Sequence, residues 1–201
     1  MDARDLFLEQ HGAVHSADVG GNKASGAERA LGGLTDDQMR MRPREDLNSI
    51  AWIMWHIART EDILVNLSLA GRPQVADDGW FARLKTARRD LGTGMTSAEV
   101  TELTREIDLA ALRAYRDAVG RRTREFVGAF GARDWEGEVA ADGIQAAVAQ
   151  GALGARADLL AKAFTGRPRR MVLSGIGVIH SATHLGEVTT VRAAGGFGTG
   201  V

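Results

Sequence analysis

His180 and His184 stand four residues apart in VIHSATHLGEV, and a third histidine, His56, sits in the apolar segment AWIMWHIART. On a helix a spacing of four puts two side chains on one face, so both imidazoles can reach one ion. Metal binding needs neutral imidazole, the form that a partly desolvated position favours. His180 and His184 share their stripe with Ile176, Glu187 and Val191, while His56 has Trp52, Ile53 and Ile63 at helical spacing. The chain has no cysteine, which removes disulfides, thiolate ligands and cysteine nucleophiles and leaves imidazole and carboxylate as metal donors. Three imidazoles hold a divalent ion and leave it an exchangeable position. The ordinary alternative is three histidines that simply hydrogen-bond in a core.

Glu187 lies about one turn beyond His184 and is the candidate catalytic residue. It can ligate, orient a histidine or act as a base, and it can equally pair with Arg192 or Arg59. His11 and His15 repeat the spacing of four, but Gly12 weakens the helix between them and Gly20-Gly21 ends it, so they are expected to be surface or core residues rather than ligands. His180 is not followed by the glutamate that zinc peptidases use as a base, which disfavours peptidase chemistry. No phosphate-binding glycine loop is present; the run Gly195 to Gly198 follows a helix and reads as a frayed tail. The arginine clusters at Arg88-Arg89, Arg121 to Arg124 and Arg167 to Arg170 read as solvated helix faces.

Two long segments must position the histidines. From Ser49, apolar residues recur at three- and four-residue spacings until Gly71 and Pro73, with Asn48 or Ser49 as N-cap. From Pro168 a second such helix runs to Gly195-Gly196. Thr96-Ser97-Ala98-Glu99 fits a capping box and opens a helix expected to reach about Phe130. A first helix around Leu6 to Val14 is broken by glycines before Ala27 to Leu31 resumes, Gly71 to Met95 is a long crossover containing Trp80, and Ile144 to Phe164 is expected to be one further helix. No strand-like alternation of useful length occurs, so the predicted class is all-α, a four-helix bundle with an extra helix and a long crossover, in one domain spanning residues 1–201. A net charge of −1 gives no basic field for nucleic acid. No apolar run approaches the ~20 residues of a membrane span, and the start lacks a basic region followed by a hydrophobic stretch, so a cytoplasmic protein is expected.

The segment Asn48 to Asn66, NSIAWIMWHIARTEDILVN, resembles the second helix of the DinB/YfiT-like superfamily, and His180 to Gly196, HSATHLGEVTTVRAAGG, resembles its last helix. The crossover piece DDGWFARL, Asp77 to Leu84, is similar to one that recurs in a DinB subgroup. The resemblance implies a four-helix bundle, often dimeric, with one divalent ion, zinc or nickel and sometimes iron, on three histidines. It also implies small-molecule chemistry: relatives include transferases and isomerases that use the low-molecular-weight thiols bacillithiol, mycothiol and glutathione, among them mycothiol-dependent maleylpyruvate isomerase. The first reading is therefore a metal-dependent thiol S-transferase acting on small electrophiles. Only three of the basic residues are lysine, a composition that fits a GC-rich actinobacterium and favours mycothiol. A metal-dependent hydrolase is the alternative, and a non-catalytic, stress-related metal-binding protein a third. The glycine-broken first helix and the segment Trp135 to Arg167 depart from the family pattern.

Overall fold

The structure, a computed structural model, describes residues 1–198. Helix α1 (Ala3–Ala13) is capped by Asp2, whose carboxylate accepts from the Asp5 N–H, and the short α2 (Ala17–Gly20) stops at Gly21 in the left-handed conformation. Ser25 caps α3 (Gly26–Leu31), and Thr35 with Gln38 forms a capping box on α4 (Asp36–Arg40). Ser49 caps α5 (Ile50–Glu61), which continues without a break into a π-helical segment, Asp62–Leu69. The crossover carries α6 (Asp78–Leu84) and leads to α7 (Ser97–Glu106) and α8 (Leu109–Gly128). Then come α9 (Ala141–Ala149), α10 (Ala157–Phe164) and α11 (Arg169–Val172), followed by a second π-helical segment, Leu173–His180, and α12 (Ser181–Gly195). The described residues contain no strand, only one isolated bridge between Glu138 and Pro168.

All twelve residues of α5 are buried, which makes it the axis of the fold. It packs on α8 and α12, while α1 lies against α8 and the second π segment, giving a four-helix bundle. Two apolar clusters fill it, one around Trp55, Leu112 and Tyr115 and one around Ile63, Trp135 and Ile144.

The crossover is held by a buried ionic hub. Asp62, fully buried, accepts from the Val75 N–H (2.8 Å), the Ala76 N–H (3.0 Å) and the Tyr115 hydroxyl (2.7 Å). Arg59, one turn earlier and equally buried, donates to Tyr115 (2.9 Å), Gln74 (2.7 Å) and the carbonyl of Arg89, and pairs with Asp62 at 3.4 Å. Charges this deep persist only where their hydrogen-bonding capacity is met, and here crossover backbone meets much of it.

Three sequence expectations change in detail. The helix opened by Thr96 ends at Glu106; Ile107 is extended and buried, and the Asp108 side chain caps α8 by accepting from the Ala111 N–H, so two helices replace one. The segment Ile144 to Phe164 likewise divides, because Gly151 and Gly154 adopt positive φ between α9 and α10. The glycine run after α12 is no frayed tail through Gly198: Gly196 is a left-handed cap, and the Arg192 guanidinium donates to the carbonyls of Gly198, Ala30 and Gly32.

Replacing Asp62 by alanine leaves Arg59 as an uncompensated buried charge. Chemical denaturation of Asp62→Ala is expected to show a loss of about 3–5 kcal/mol; a loss under about 1 kcal/mol would mean that the hub does not hold the crossover.

Candidate metal centre

The helical frame brings His56, His180 and His184 together. One nitrogen from each lies within 4.8 Å of one from both others. His56 projects from the middle of α5, stacked on Trp52 with ring centroids 4.9 Å apart and planes 9° from parallel. His180 closes the second π segment and His184 is one turn into α12. His56 is 7% exposed, while His180 and His184 are partly exposed, so the cluster is walled on one side and open on the other.

Hydrogen bonding decides which ring nitrogens are bare. His56 Nδ1 is 2.5 Å from the Leu91 carbonyl oxygen. A carbonyl only accepts, so Nδ1 carries the hydrogen and the Nε2 of the neutral ring is a lone pair. His184 Nδ1 is 2.6 Å from Glu187 Oε2, and Asn48 donates to the other Glu187 oxygen at 3.0 Å. Burial pushes the Glu187 carboxyl up, but the hydrogen bonds from His184 and Asn48 outweigh it and hold it below the ordinary value. Glu187 is thus an ionised acceptor that fixes the orientation of the His184 ring through Nδ1. His180 Nε2 is 3.2 Å from His56 Nε2, close to the spacing of two ligands each about 2.1 Å from one ion. Its Nδ1 is buried without a partner.

Burial lowers the His56 pKa to about 4 against the opposing hydrogen bond to Leu91. Burial, with the adjacent His56 and His184, lowers that of His180 to about 3. Both are neutral imidazoles at physiological pH, the form that can ligate a metal. The donor set and its protonation therefore fit a divalent first-row ion, with Glu187 orienting His184 rather than pairing with an arginine. Arg59 and Arg192 have the other partners described above.

Two parts of this arrangement lie outside the sequence reading. Asn48, considered only as a helix cap, bonds Glu187, while Ser49 is the cap. Leu91 acts through its backbone carbonyl, which no side-chain pattern marks. His11 and His15 do not join this cluster; both are wholly buried, which excludes the surface reading, and both bond Glu61.

The sequence model of the DinB superfamily matches residues 25–188. The chain belongs to the DinB superfamily. A search of curated proteins returns no match. The matched region contains His56, His180, His184 and Glu187, while His11 on α1 and His15 just after it precede the match. No helix among the described residues is long and apolar enough to cross a membrane.

The buried histidines set an acid limit on stability. Burial lowers the His15 pKa from 6.5 to about 4, as it does that of His56. Protons therefore bind the unfolded rings first, so stability is complete above about pH 6.5 and falls as pH drops toward 4. For His15 alone the loss is on the order of 3 kcal/mol. Urea denaturation of chelator-treated protein should show this fall between pH 7 and pH 4; a flat profile across that window would contradict the buried, neutral state of these rings.

Proposed function

We propose that His56, His180 and His184 hold one divalent ion, zinc or nickel, and that the protein is a thiol S-transferase acting on small electrophiles, with a mycothiol-type thiol as co-substrate. The observation that carries this reading is the convergence of the three histidines, with the Nδ1 of His56 held by Leu91 O and that of His184 by Glu187. When bound there, the ion supplies a positive charge that favours thiolate over thiol.

The chain's own groups do the rest. Leu91 O and Glu187 hold two of the rings in register, so the site need not reorganise on binding. Trp52 stacks on His56 and keeps water from its inner face. The partly exposed side, at His180 and His184, admits the co-substrates. In the transfer the thiol gives its proton to solvent, the sulfur forms a bond to an electrophilic carbon, and the leaving group departs with its electron pair. Membership of the DinB superfamily supports metal binding, and the arginine-rich composition favours mycothiol over other thiols.

Alanine substitution of His56, His180 or His184 should each remove one equivalent of metal and reduce thiol transfer to background. Glu187→Gln should keep the fold and lower metal affinity roughly tenfold, because the amide orients His184 less firmly. Turnover of a bimane electrophile with mycothiol, bacillithiol and glutathione in parallel tests the reaction class. Activity with mycothiol, lost with the metal, is the expected result; metal-dependent ester or amide hydrolysis without thiol turnover would replace transferase by hydrolase.

A further inference from the structure

The second histidine pair builds a site of its own. His11 Nε2 lies 2.9 Å from Glu61 Oε1 and His15 Nε2 lies 3.0 Å from Glu61 Oε2. The two rings stack with centroids 4.2 Å apart. All three side chains are buried, His11 and His15 at 0% exposure and Glu61 at 1%. Neither Nδ1 has a hydrogen-bond partner, so each ring meets protein polar groups through Nε2 alone.

Room for the rings is cut into neighbouring backbone. A Cβ on Gly120, in the middle of α8, would overlap the His15 ring, and one on Gly177 would press on Phe7 and approach His11 Cδ2 at 3.6 Å. A glycine inside a helix costs about 1 kcal/mol relative to alanine. At Gly120 that cost accompanies the seating of one polar ring.

We propose that His11, His15 and Glu61 form a second metal site, closed to solvent, that takes a divalent first-row ion such as zinc on two Nε2 atoms and the Glu61 carboxylate. One donor atom from each of the three residues lies within 4.8 Å of the others, and the nitrogen–oxygen separations of 2.9 and 3.0 Å approach the roughly 3.0–3.4 Å between ligands about 2.1 Å from one ion. His15 is neutral at physiological pH because burial lowers its pKa to about 4. Burial alone would push the Glu61 carboxyl up, but the charges and hydrogen bonds of His15 and His11 hold it well below the ordinary value. The cluster therefore offers imidazole nitrogen and an ionised oxygen, the donors this chain has in place of thiolate. Glu61 ends α5 five residues beyond His56, whereas the histidines belong to the N-terminal arm that precedes the superfamily match. An ion here clamps α1 to the bundle's central helix and, lacking an exposed position, has a structural role.

Coordination through Nε2 leaves a ring hydrogen only on Nδ1, whereas donation to Glu61 requires one on Nε2. Nitrogen-15 NMR of the His11 and His15 rings in intact protein, before and after saturation with zinc, should show that change. Cobalt(II) titration of chelator-treated protein should saturate at two equivalents. The double variant His180→Ala with His184→Ala should bind one, and Glu61→Gln should also bind one, with folding checked by circular dichroism. Rings that keep Nε2–H under saturating zinc, or a wild-type titration ending at one equivalent that Glu61→Gln leaves unchanged, would overturn the proposal and leave a hydrogen-bonded core cluster whose carboxylate is balanced by the nearby buried Arg116. Failure of the three-histidine site alone looks different: the double variant then matches the wild type at one equivalent, and Glu61→Gln binds none.

Discussion

A buried neutral imidazole has one hydrogen to place on two nitrogens, and where it goes is settled by the acceptor behind the ring. At His56 that acceptor is Leu91 O, and Glu187 stands behind the Nδ1 of His184. The three-histidine cluster depends on both, since they fix the orientation of two of its rings. Leu91 lies in the crossover, which is held by the hydrogen bonds of Arg59, one turn beyond His56 on α5, and of Asp62, which opens the π-helical segment. One buried ion pair thus ties the protonation pattern of the site to the packing of the fold.

The two helices that carry the histidines share a second property. Each contains a π-helical segment, Asp62–Leu69 just beyond α5 and Leu173–His180 just before α12. A wider turn shifts the phase of the side chains that follow it, and such turns occur frequently at functional sites. In the first segment the change falls between Glu61, which faces His11 and His15, and Asn66, which bonds back to Asp62. In the second it ends at His180 itself, so the residue that completes the cluster is the last of the altered turn. The two histidine clusters share α5 as a common wall.

Much of this was legible in the sequence because it rests on periodicity and spacing. The pair His180/His184, the apolar helix around His56, the Thr96 capping box and the broken N-terminal arm all follow from local rules, and each is found. What escaped depends on tertiary partners. A backbone acceptor such as Leu91 O has no residue signature. Asp108 capping a new helix divides a segment whose apolar periodicity runs straight through it. The sequence leaves His11 and His15 open between surface and core, and they lie in the core; Gly12 and Gly20, which locally weaken a helix, in three dimensions allow α1 and α2 to touch, since a Cβ on Gly20 would overlap the Gly12 backbone. Glycine marks flexibility and close approach equally well, and only packing separates the two.

The central claim is that the inward Nε2 atoms of His56, His180 and His184 are ligands and not hydrogen-bonding partners. Anomalous diffraction from crystals of metal-loaded protein, recorded on both sides of the metal's absorption edge, tests it most directly. The account predicts a difference peak about 2.0–2.1 Å from all three Nε2 atoms, with Leu91 O and Glu187 still bonded to the Nδ1 atoms behind His56 and His184. Well-ordered rings with no peak between them, and with His180 hydrogen-bonded to His56, would contradict it.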